Sequence, residues 1–213
     1  MAQTNQNHTI DSEEFHNPWL NLLEDIFFKP HYAFESFLNR DDMGGRDLWK
    51  FHILLSLFAP ISKFFSNLTI AIYNLLLSRE SISFSDLSSG TISIWLFYVA
   101  CIFFIRFADI FRIYFKRWNR TENWNPPIPW ILMIGFLPFT CSGIFFFLPT
   151  PFNLGIMILA FIYSLHLSYK AFQDILGWTS SDFFSYLLQV GIFFLFIGII
   201  FTGTYNIFRM LFL

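Results

Sequence analysis

Five long apolar stretches divide this chain of 213 residues, and they constrain its fold more than any other feature. An α-helix needs about 20 mostly apolar residues to cross the hydrocarbon core of a bilayer. The stretches that reach or approach this length are residues 49–77, 91–111, 130–148, 154–175 and 183–205. Only 13% of the residues are charged and 55% are hydrophobic, whereas soluble domains carry about 25% charged residues. We therefore predict an all-α membrane protein with about five transmembrane helices.

Two shorter regions precede the first stretch. Residues 1–16 are polar and are predicted to form a disordered tail. Residues 17–48 are amphipathic, and their apolar residues share one helical face: Trp19, Leu22, Leu23, Ile26 and Phe27. Because a proline at position 30 stops the first helix, each piece is too short to span. We predict an amphipathic helix in the membrane interface, with a helix docked on the transmembrane bundle as the alternative. Residues 49–213 form the transmembrane domain.

The basic residues predict the orientation of the chain in the membrane. With the N-terminus in the cytoplasm, nine of the 13 Lys and Arg residues face the cytoplasm: Lys29, Arg40, Arg46, Lys50, Arg112, Lys116, Arg117, Arg120 and Lys170. Only Arg79 and Arg209 face outside, as the positive-inside rule requires. We therefore predict a cytoplasmic N-terminus and a C-terminus outside. We expect the first span to act as an uncleaved signal anchor, since no short basic leader precedes it.

Ionisable residues inside the apolar stretches form the candidate functional site, because each costs about 3 kcal/mol or more in lipid. They are Lys63, Arg106, Asp109, His166, Lys170 and Asp174. The last three recur every four residues and form a polar stripe on one helix. A stripe packed against neighbouring helices and a ligand or proton site are both compatible with this spacing. Arg106 and Asp109, three residues apart, fit either an ion-pair ladder or part of a substrate path.

Two sets of residues are candidates for contact with lipid or a partner. One is the amphipathic face, represented by Trp19, Leu23 and Phe27. The other is the basic cluster after the second stretch, which contains Arg112, Lys116, Arg117 and Arg120. A basic cluster beside a membrane is explained by anionic lipid at about 1 kcal/mol per residue. We therefore expect the lipid bilayer as a partner and no nucleic acid.

Prolines and glycines predict the local shape of the helices. Pro60 is expected to kink the first helix, and Pro138 with Gly135 and Gly143 to bend the third. Gly177 suits the end of the fourth helix. On the fifth helix the small residues Gly191, Gly198 and Thr202 would allow another helix to approach closely.

Catalytic motifs are absent from the sequence. It contains no P-loop, no H-E-x-x-H, no G-x-S-x-G and no C-x-x-C pattern. Cys101 and Cys141 lie within apolar stretches and are interpreted as core residues. We therefore expect no enzymatic activity, no cofactor and no metal.

The segment at residues 25–34 reads Asp-Ile-Phe-Phe-Lys-Pro-His-Tyr-Ala-Phe, with aromatic residues following the proline. Together with the five closely spaced stretches and the run Leu154–Ala171, this pattern resembles the Yip domain family. Members of that family are integral membrane proteins named for their interaction with Ypt/Rab GTPases. The resemblance covers about residues 20–205. The Asp-Leu-Tyr-Gly-Pro element of eukaryotic members is absent, so the chain looks like a bacterial-type member. The family supplies no catalytic residues to carry over.

Two functional hypotheses follow. The first is a non-enzymatic, Yip-like protein that organises a membrane or binds a protein partner or a second copy of itself. It would lie in the bacterial inner membrane, with the ER or Golgi membrane as the alternative. The second is a small-solute permease, or a permease-like subunit of an export system, in which Arg106, Asp109, His166, Lys170 and Asp174 surround a common cavity.

Overall fold

The computed structural model describes residues 17–39, 45–78, 83–107 and 128–212, and these residues are almost entirely helical. In chain order the helices are α1 (Pro18–Phe28), α2 (Pro30–Leu38), α3 (Gly45–Ser56), α4 (Phe58–Ser78), α5 (Phe84–Ser88), α6 (Thr91–Phe107), α7 (Ile128–Gly135), α8 (Leu137–Cys141), a 3₁₀ segment (Ser142–Phe147), α9 (Phe152–Leu176) and α10 (Ser180–Phe212). No strand occurs among them. The prediction of an all-α fold is confirmed for this part of the chain.

Among the described residues, four segments are long and apolar enough to cross a membrane, which gives the protein the fold of a multi-pass membrane protein. They are span 1 (Asp47–Leu77), span 2 (Phe84–Arg106), span 3 (Ile128–Phe147) and span 4 (Phe152–Leu176). They overlap the first four predicted stretches, although span 2 begins seven residues before the predicted start at residue 91. The fifth stretch lies within α10, whose 33 residues exceed the length of about 20 that a crossing needs. That α10 is a fifth span remains a prediction. The end of the second stretch, residues 108–111, lies outside the described residues.

Spans 1 and 3 are each broken at a proline. Pro60 has no N–H to donate to the Ser56 carbonyl, and its ring crowds that carbonyl. Accordingly α3 ends at Ser56 and α4 begins two residues later. Pro138 has the same relation to Ile134, and α7 ends at Gly135. Both predicted bends are therefore confirmed as breaks between separate helical segments.

Span 3 occupies the centre of the bundle. In the most hydrophobic 18 residues of span 3, 72% of the residues are buried, whereas the corresponding share is 17–28% in the other three spans. It is packed against α3, α4, α6, α9 and the hairpin formed by α1 and α2. A broken helix is tolerated at membrane depth only where protein surrounds it, and the central position of span 3 meets that requirement.

Glycines allow two close approaches to span 3. A methyl group built on Gly143 would lie 2.8 Å from the Ala59 side chain of α4, and one built on Gly135 would collide with Ser168 of α9. On α10, by contrast, a methyl group on Gly191 or Gly198 meets no atom of the described chain within 4 Å. Gly143 and Gly135 thus allow α4 and α9 to approach span 3 closely, while the close approach of another helix to α10 stays a prediction.

The α1–α2 hairpin is docked on the bundle. Leu22 and Ile26 of α1 and Phe34 of α2 are buried in the main hydrophobic core. The Trp19 ring lies 5.1 Å from the ring of Phe51 in α3. The sequence allowed either a helix in the membrane interface or a helix docked on the transmembrane bundle. The face of the hairpin that carries Leu22, Ile26 and Phe34 is docked on the bundle.

The bundle has two distinguishable ends. At one end the guanidinium of Arg106 lies over the ring of Trp130, which opens span 3; this is called the Arg106 end. At the other, called the Phe84 end, the Asn67 side chain of span 1 donates to the carbonyls of Leu87 and Ser89, at 3.0 and 2.9 Å. These hydrogen bonds hold residues 87–89, which precede α6, against span 1.

Candidate functional site

The polar stripe of span 4 lines a pocket of about 220 Å³ between α9 and α2. His166, Lys170 and Asp174 contribute its polar side from α9, and His31 and Phe34 of α2 form the opposite wall. The stripe follows from the helical period, since residues four apart share one face. Pro30, the first residue of α2, also lines the pocket. The docked hairpin and the stripe thus form one polar site.

One ion pair joins the two walls of this pocket. His31 Nδ1 lies 3.5 Å from Asp174 Oδ2, and the two side chains are 73% and 49% exposed. The contact is ionic only when the His31 ring is protonated, and exposed pairs contribute at most about 1 kcal/mol. The side chains of Lys170 and His166 are also exposed. This combination of basic groups with one carboxylate could bind an acidic group of a lipid or a protein.

Arg106 lies apart from this pocket. Its guanidinium carbon is 5.3 Å from the centre of the Trp130 ring, a cation–π contact that contributes about 0.5–1 kcal/mol where it is exposed. Arg106 does not line the pocket at α2. Lys63, the candidate on span 1, has its Cε 3.9 Å from the Cβ position of Gly90, near the Phe84 end. The described residues therefore place Arg106, Lys63 and the polar stripe in three different surroundings, whereas the permease hypothesis requires Arg106 to meet the stripe.

Several predicted contact residues can be compared with the structure and others cannot. Trp19 and Leu23 are half-buried against the bundle, and Phe27 is exposed. The docked geometry thus turns part of the predicted lipid-contact face inward. The remaining candidates lie outside the described residues: Asp109, Arg112, Lys116, Arg117 and Arg120.

A buried histidine, His52 of α3, lies at the break of span 3. His52 is 1% exposed. Its Nε2 lies 2.8 Å from the Met133 carbonyl, and its Nδ1 lies 2.9 Å from Thr140 Oγ1. Met133 precedes the break and Thr140 follows it. The imidazole therefore bridges the two halves of span 3.

The partners of His52 determine where its proton lies. A carbonyl can only accept, so Nε2 carries a proton and donates to Met133. In the neutral ring Nδ1 then accepts from the Thr140 hydroxyl. That hydroxyl also lies 3.2 Å from the Phe136 carbonyl, which is farther than the 2.9 Å to His52. Both ring nitrogens are thus satisfied by the protein itself, which makes His52 a support of the break and not a ligand-binding group.

Two other spans also support the break of span 3. Ser164 Oγ of α9 accepts from the backbone N–H of Phe139 at 3.1 Å. Ser142 donates its proton to the Phe139 carbonyl at 2.6 Å, so the hydroxyl of Tyr98 in α6 must donate to Ser142, at 2.9 Å. In transporters, broken helices leave backbone groups facing a substrate. Here the side chains of His52 in span 1 and Ser164 in span 4 bond backbone groups at the break directly, and Tyr98 in span 2 acts through the Ser142 hydroxyl, so these groups are not left to face a substrate.

The start of α10 is fixed by a reciprocal cap between Thr179 and Asp182. Thr179 donates to Asp182 Oδ2 through its hydroxyl (2.6 Å) and its backbone N–H (2.9 Å), while the Asp182 N–H donates back to Thr179 Oγ1. These hydrogen bonds from Thr179 hold the pKa of the Asp182 carboxyl below its ordinary value. Thr179, Ser180 and Ser181 are all suitable capping residues, so residue type alone does not show which of them caps the helix.

Sequence reasoning missed His31 and His52. His52 carries a detectable signal, since an ionisable residue within an apolar span is a site candidate by default. The sequence around His31 gives no such signal, because its partner Asp174 is distant in sequence and the two meet only where α2 docks on α9.

No protein-family model, no curated protein and no solved structure matches the chain.

Proposed function

We propose that the chain is a non-enzymatic, Yip-like integral membrane protein that organises a membrane or binds a protein partner through its docked α1–α2 hairpin. The proposal places the Arg106 end in the cytoplasm, in a bacterial inner membrane. It is supported by the sequence pattern, by the excess of basic residues on the predicted inner side, and by the surface of the hairpin.

The observation that carries the proposal is the two-sided character of the hairpin. Its inner face is buried in the core, while its outer face leaves Leu20 61%, Phe27 44% and Phe28 79% exposed. Large apolar side chains grouped on the surface of a rigid element mark contact with a membrane or a protein. The polar pocket of His31 and the span 4 stripe begins at Pro30, two residues after Phe28 in the chain. Apolar and charged groups thus meet on one surface at the Arg106 end.

The experiment is site-specific photo-crosslinking in native membranes. A benzophenone amino acid replaces Phe28 in one variant and Phe84 in another. These residues form a matched pair, because Phe28 and Phe84 are 79% and 78% exposed and belong to different parts of the fold. The proposal predicts a discrete protein or lipid adduct from position 28 that is not formed from position 84.

Two further variants show whether the adduct depends on the surface of the hairpin. Exchange of Phe27 for serine should weaken the adduct from position 28, since it removes part of the same apolar face. Exchange of Phe152, an exposed residue of α9, should leave it unchanged. The same adducts from positions 28 and 84, or none from position 28, would count against the hairpin as the contact surface.

A further inference from the structure

An apolar cavity of about 230 Å³ lies between spans 2, 3 and 4 and α10. Span 2 contributes Cys101, Phe104 and Ile105 to its wall, and α10 contributes Leu187 and Val190. The other two helices add mainly aromatic rings. It is distinct from the polar pocket beside α2, because the two share no lining residue.

The chemistry of the wall determines what can fill this cavity. A cavity lined by Leu, Ile and Phe stays dry, because water finds no hydrogen-bond partner there, and it takes apolar molecules. An empty cavity would forfeit the dispersion contacts of its wall. Within a bilayer the surrounding solvent is hydrocarbon, so an acyl chain is the matching occupant.

The position of the cavity along the bundle places it next to a cationic group. Ile105 of the wall is followed directly by Arg106, and Leu132 of the wall lies two residues after Trp130. Arg106 and Trp130 are the cation–π pair of the Arg106 end. The cavity therefore begins within about one helical turn of that pair, as an acyl chain begins below its headgroup.

The charge of Arg106 complements an anionic headgroup. Its side chain is exposed, and a guanidinium can bind a phosphate through two parallel hydrogen bonds. Trp130, whose ring centre lies 5.3 Å from the guanidinium carbon, offers no acceptor oxygen or nitrogen, so this contact does not use the conventional donor capacity of Arg106. Arg106 can thus bind a headgroup phosphate at this end of the cavity.

We propose that this cavity is a phospholipid-binding site that holds one acyl chain of an anionic phospholipid, with the lipid phosphate at Arg106. The charge selects the headgroup and the cavity retains the chain. The site does not depend on the partner-binding role of the hairpin.

The test is native mass spectrometry of the full chain released from nanodiscs that contain equal amounts of phosphatidylglycerol and phosphatidylcholine. The wild-type protein should retain one phospholipid, with phosphatidylglycerol preferred. The Arg106→Gln variant should lose about fivefold of that preference, which corresponds to the removal of one basic residue at about 1 kcal/mol. The Arg106→Lys variant should keep most of it. Soluble glycerol phosphate should not displace the lipid, because it has no acyl chain.

The cavity itself is tested by filling it. Val190→Trp should reduce the retained amount of both lipids about tenfold or more, equivalent to about 1.4 kcal/mol. Ile192→Trp is the matched control, because Ile192 lies on the same helix, is 52% exposed and does not line the cavity. Cys101→Phe fills the cavity from the opposite wall and replaces Val190→Trp if that variant does not fold.

Three results would overturn the proposal. They are a wild-type protein that retains no lipid, cavity-filling variants that retain as much lipid as Ile192→Trp, and displacement by glycerol phosphate. The first can be obtained with the wild-type chain alone, so it does not depend on the folding of any variant.

Discussion

Replacement of Gly143 by alanine is expected to destabilise the bundle, whereas the same exchange at Gly191 is expected to stabilise it. A methyl group on Gly143 would lie 2.8 Å from Ala59 Cβ and 3.2 Å from both Ala59 Cα and the Ala59 backbone nitrogen. Carbon atoms in favourable contact are about 3.5–4.0 Å apart. Spans 1 and 3 must therefore separate locally by about 1 Å, and two of the three close contacts are with backbone atoms that cannot rotate away.

The magnitude follows from two opposing effects. Overpacking of a well-packed interior costs about 1–3 kcal/mol. Exchange of glycine for alanine gains about 0.4–1 kcal/mol, because it restricts the unfolded chain. For Gly143→Ala we expect a net loss of about 1–2 kcal/mol in the free energy of unfolding. At Gly191 no atom lies within 4 Å of the added methyl group, so overpacking costs nothing there and only the stabilisation from restricting the unfolded chain remains.

The assay is reversible unfolding in mixed micelles of dodecyl maltoside and SDS, followed by far-ultraviolet circular dichroism. Wild type, Gly143→Ala and Gly191→Ala are compared in the same preparation. The two variants should differ from each other by about 2 kcal/mol, with opposite signs relative to wild type. Since both carry the same chemical change, helix propensity cannot account for a difference of sign.

A double-mutant cycle with Ala59→Gly provides the refutation. Removing the Ala59 methyl group relieves the closest contact, so the double variant should be more stable than the sum of the single changes predicts, by about 0.5 kcal/mol or more. Rescue should be partial, because the contact with Ala59 Cα remains. If Gly143→Ala behaves like Gly191→Ala, or if the cycle shows no coupling, the close packing of spans 1 and 3 is wrong.

Two further predictions concern polar contacts. Thr140→Val removes the hydroxyl that His52 Nδ1 contacts and leaves a buried ring nitrogen unsatisfied. It should lower the free energy of unfolding by about 1–3 kcal/mol in the same assay. The control is Thr69→Val, which removes an exposed hydroxyl. Asp182→Ala should lower it by less than about 1 kcal/mol at pH 7, because the carboxylate is exposed. Since the pKa of Asp182 is lowered in the folded protein, its contribution is present above the ordinary Asp range and is lost as the pH falls through the folded value. Wild type and Asp182→Ala should therefore converge in acid, and a difference that is unchanged by acid would contradict the assigned cap.

The helical framework was predictable because its signals are local. Hydropathy alone gives spans 1, 3 and 4 to within two residues at each end, and it gives span 2 with a start seven residues later than observed. Pro60 and Pro138 break their helices through missing N–H donors and ring contacts, which depend only on residues four positions earlier. Gly177 ends α9 in the left-handed conformation at φ 65°, which glycine adopts without strain.

The contacts between helices were not predictable in the same way. The faces of span 2 are uniformly apolar, so its sequence does not show that Tyr98 is buried while Leu96 faces outward. The contact of His52 with Met133 and Thr140, and that of His31 with Asp174, depend on which helices lie side by side. The docking of the apolar face of α1 on the bundle was likewise not predictable, since an amphipathic helix has the same sequence pattern whether its apolar side contacts lipid or protein.

The docked hairpin is the feature on which the proposed function depends, and spin labelling in liposomes tests it most directly. In a chain with Cys101 and Cys141 replaced by alanine, a nitroxide is attached to a cysteine at position 26 or at position 28. Ile26 is 0% exposed and Phe28 is 79% exposed. We expect the label at 26 to be immobilised and inaccessible to oxygen and to a nickel chelate, and the label at 28 to be mobile and accessible to one of them. Equal mobility and accessibility at both positions would show that the hairpin is not docked, and would contradict the account.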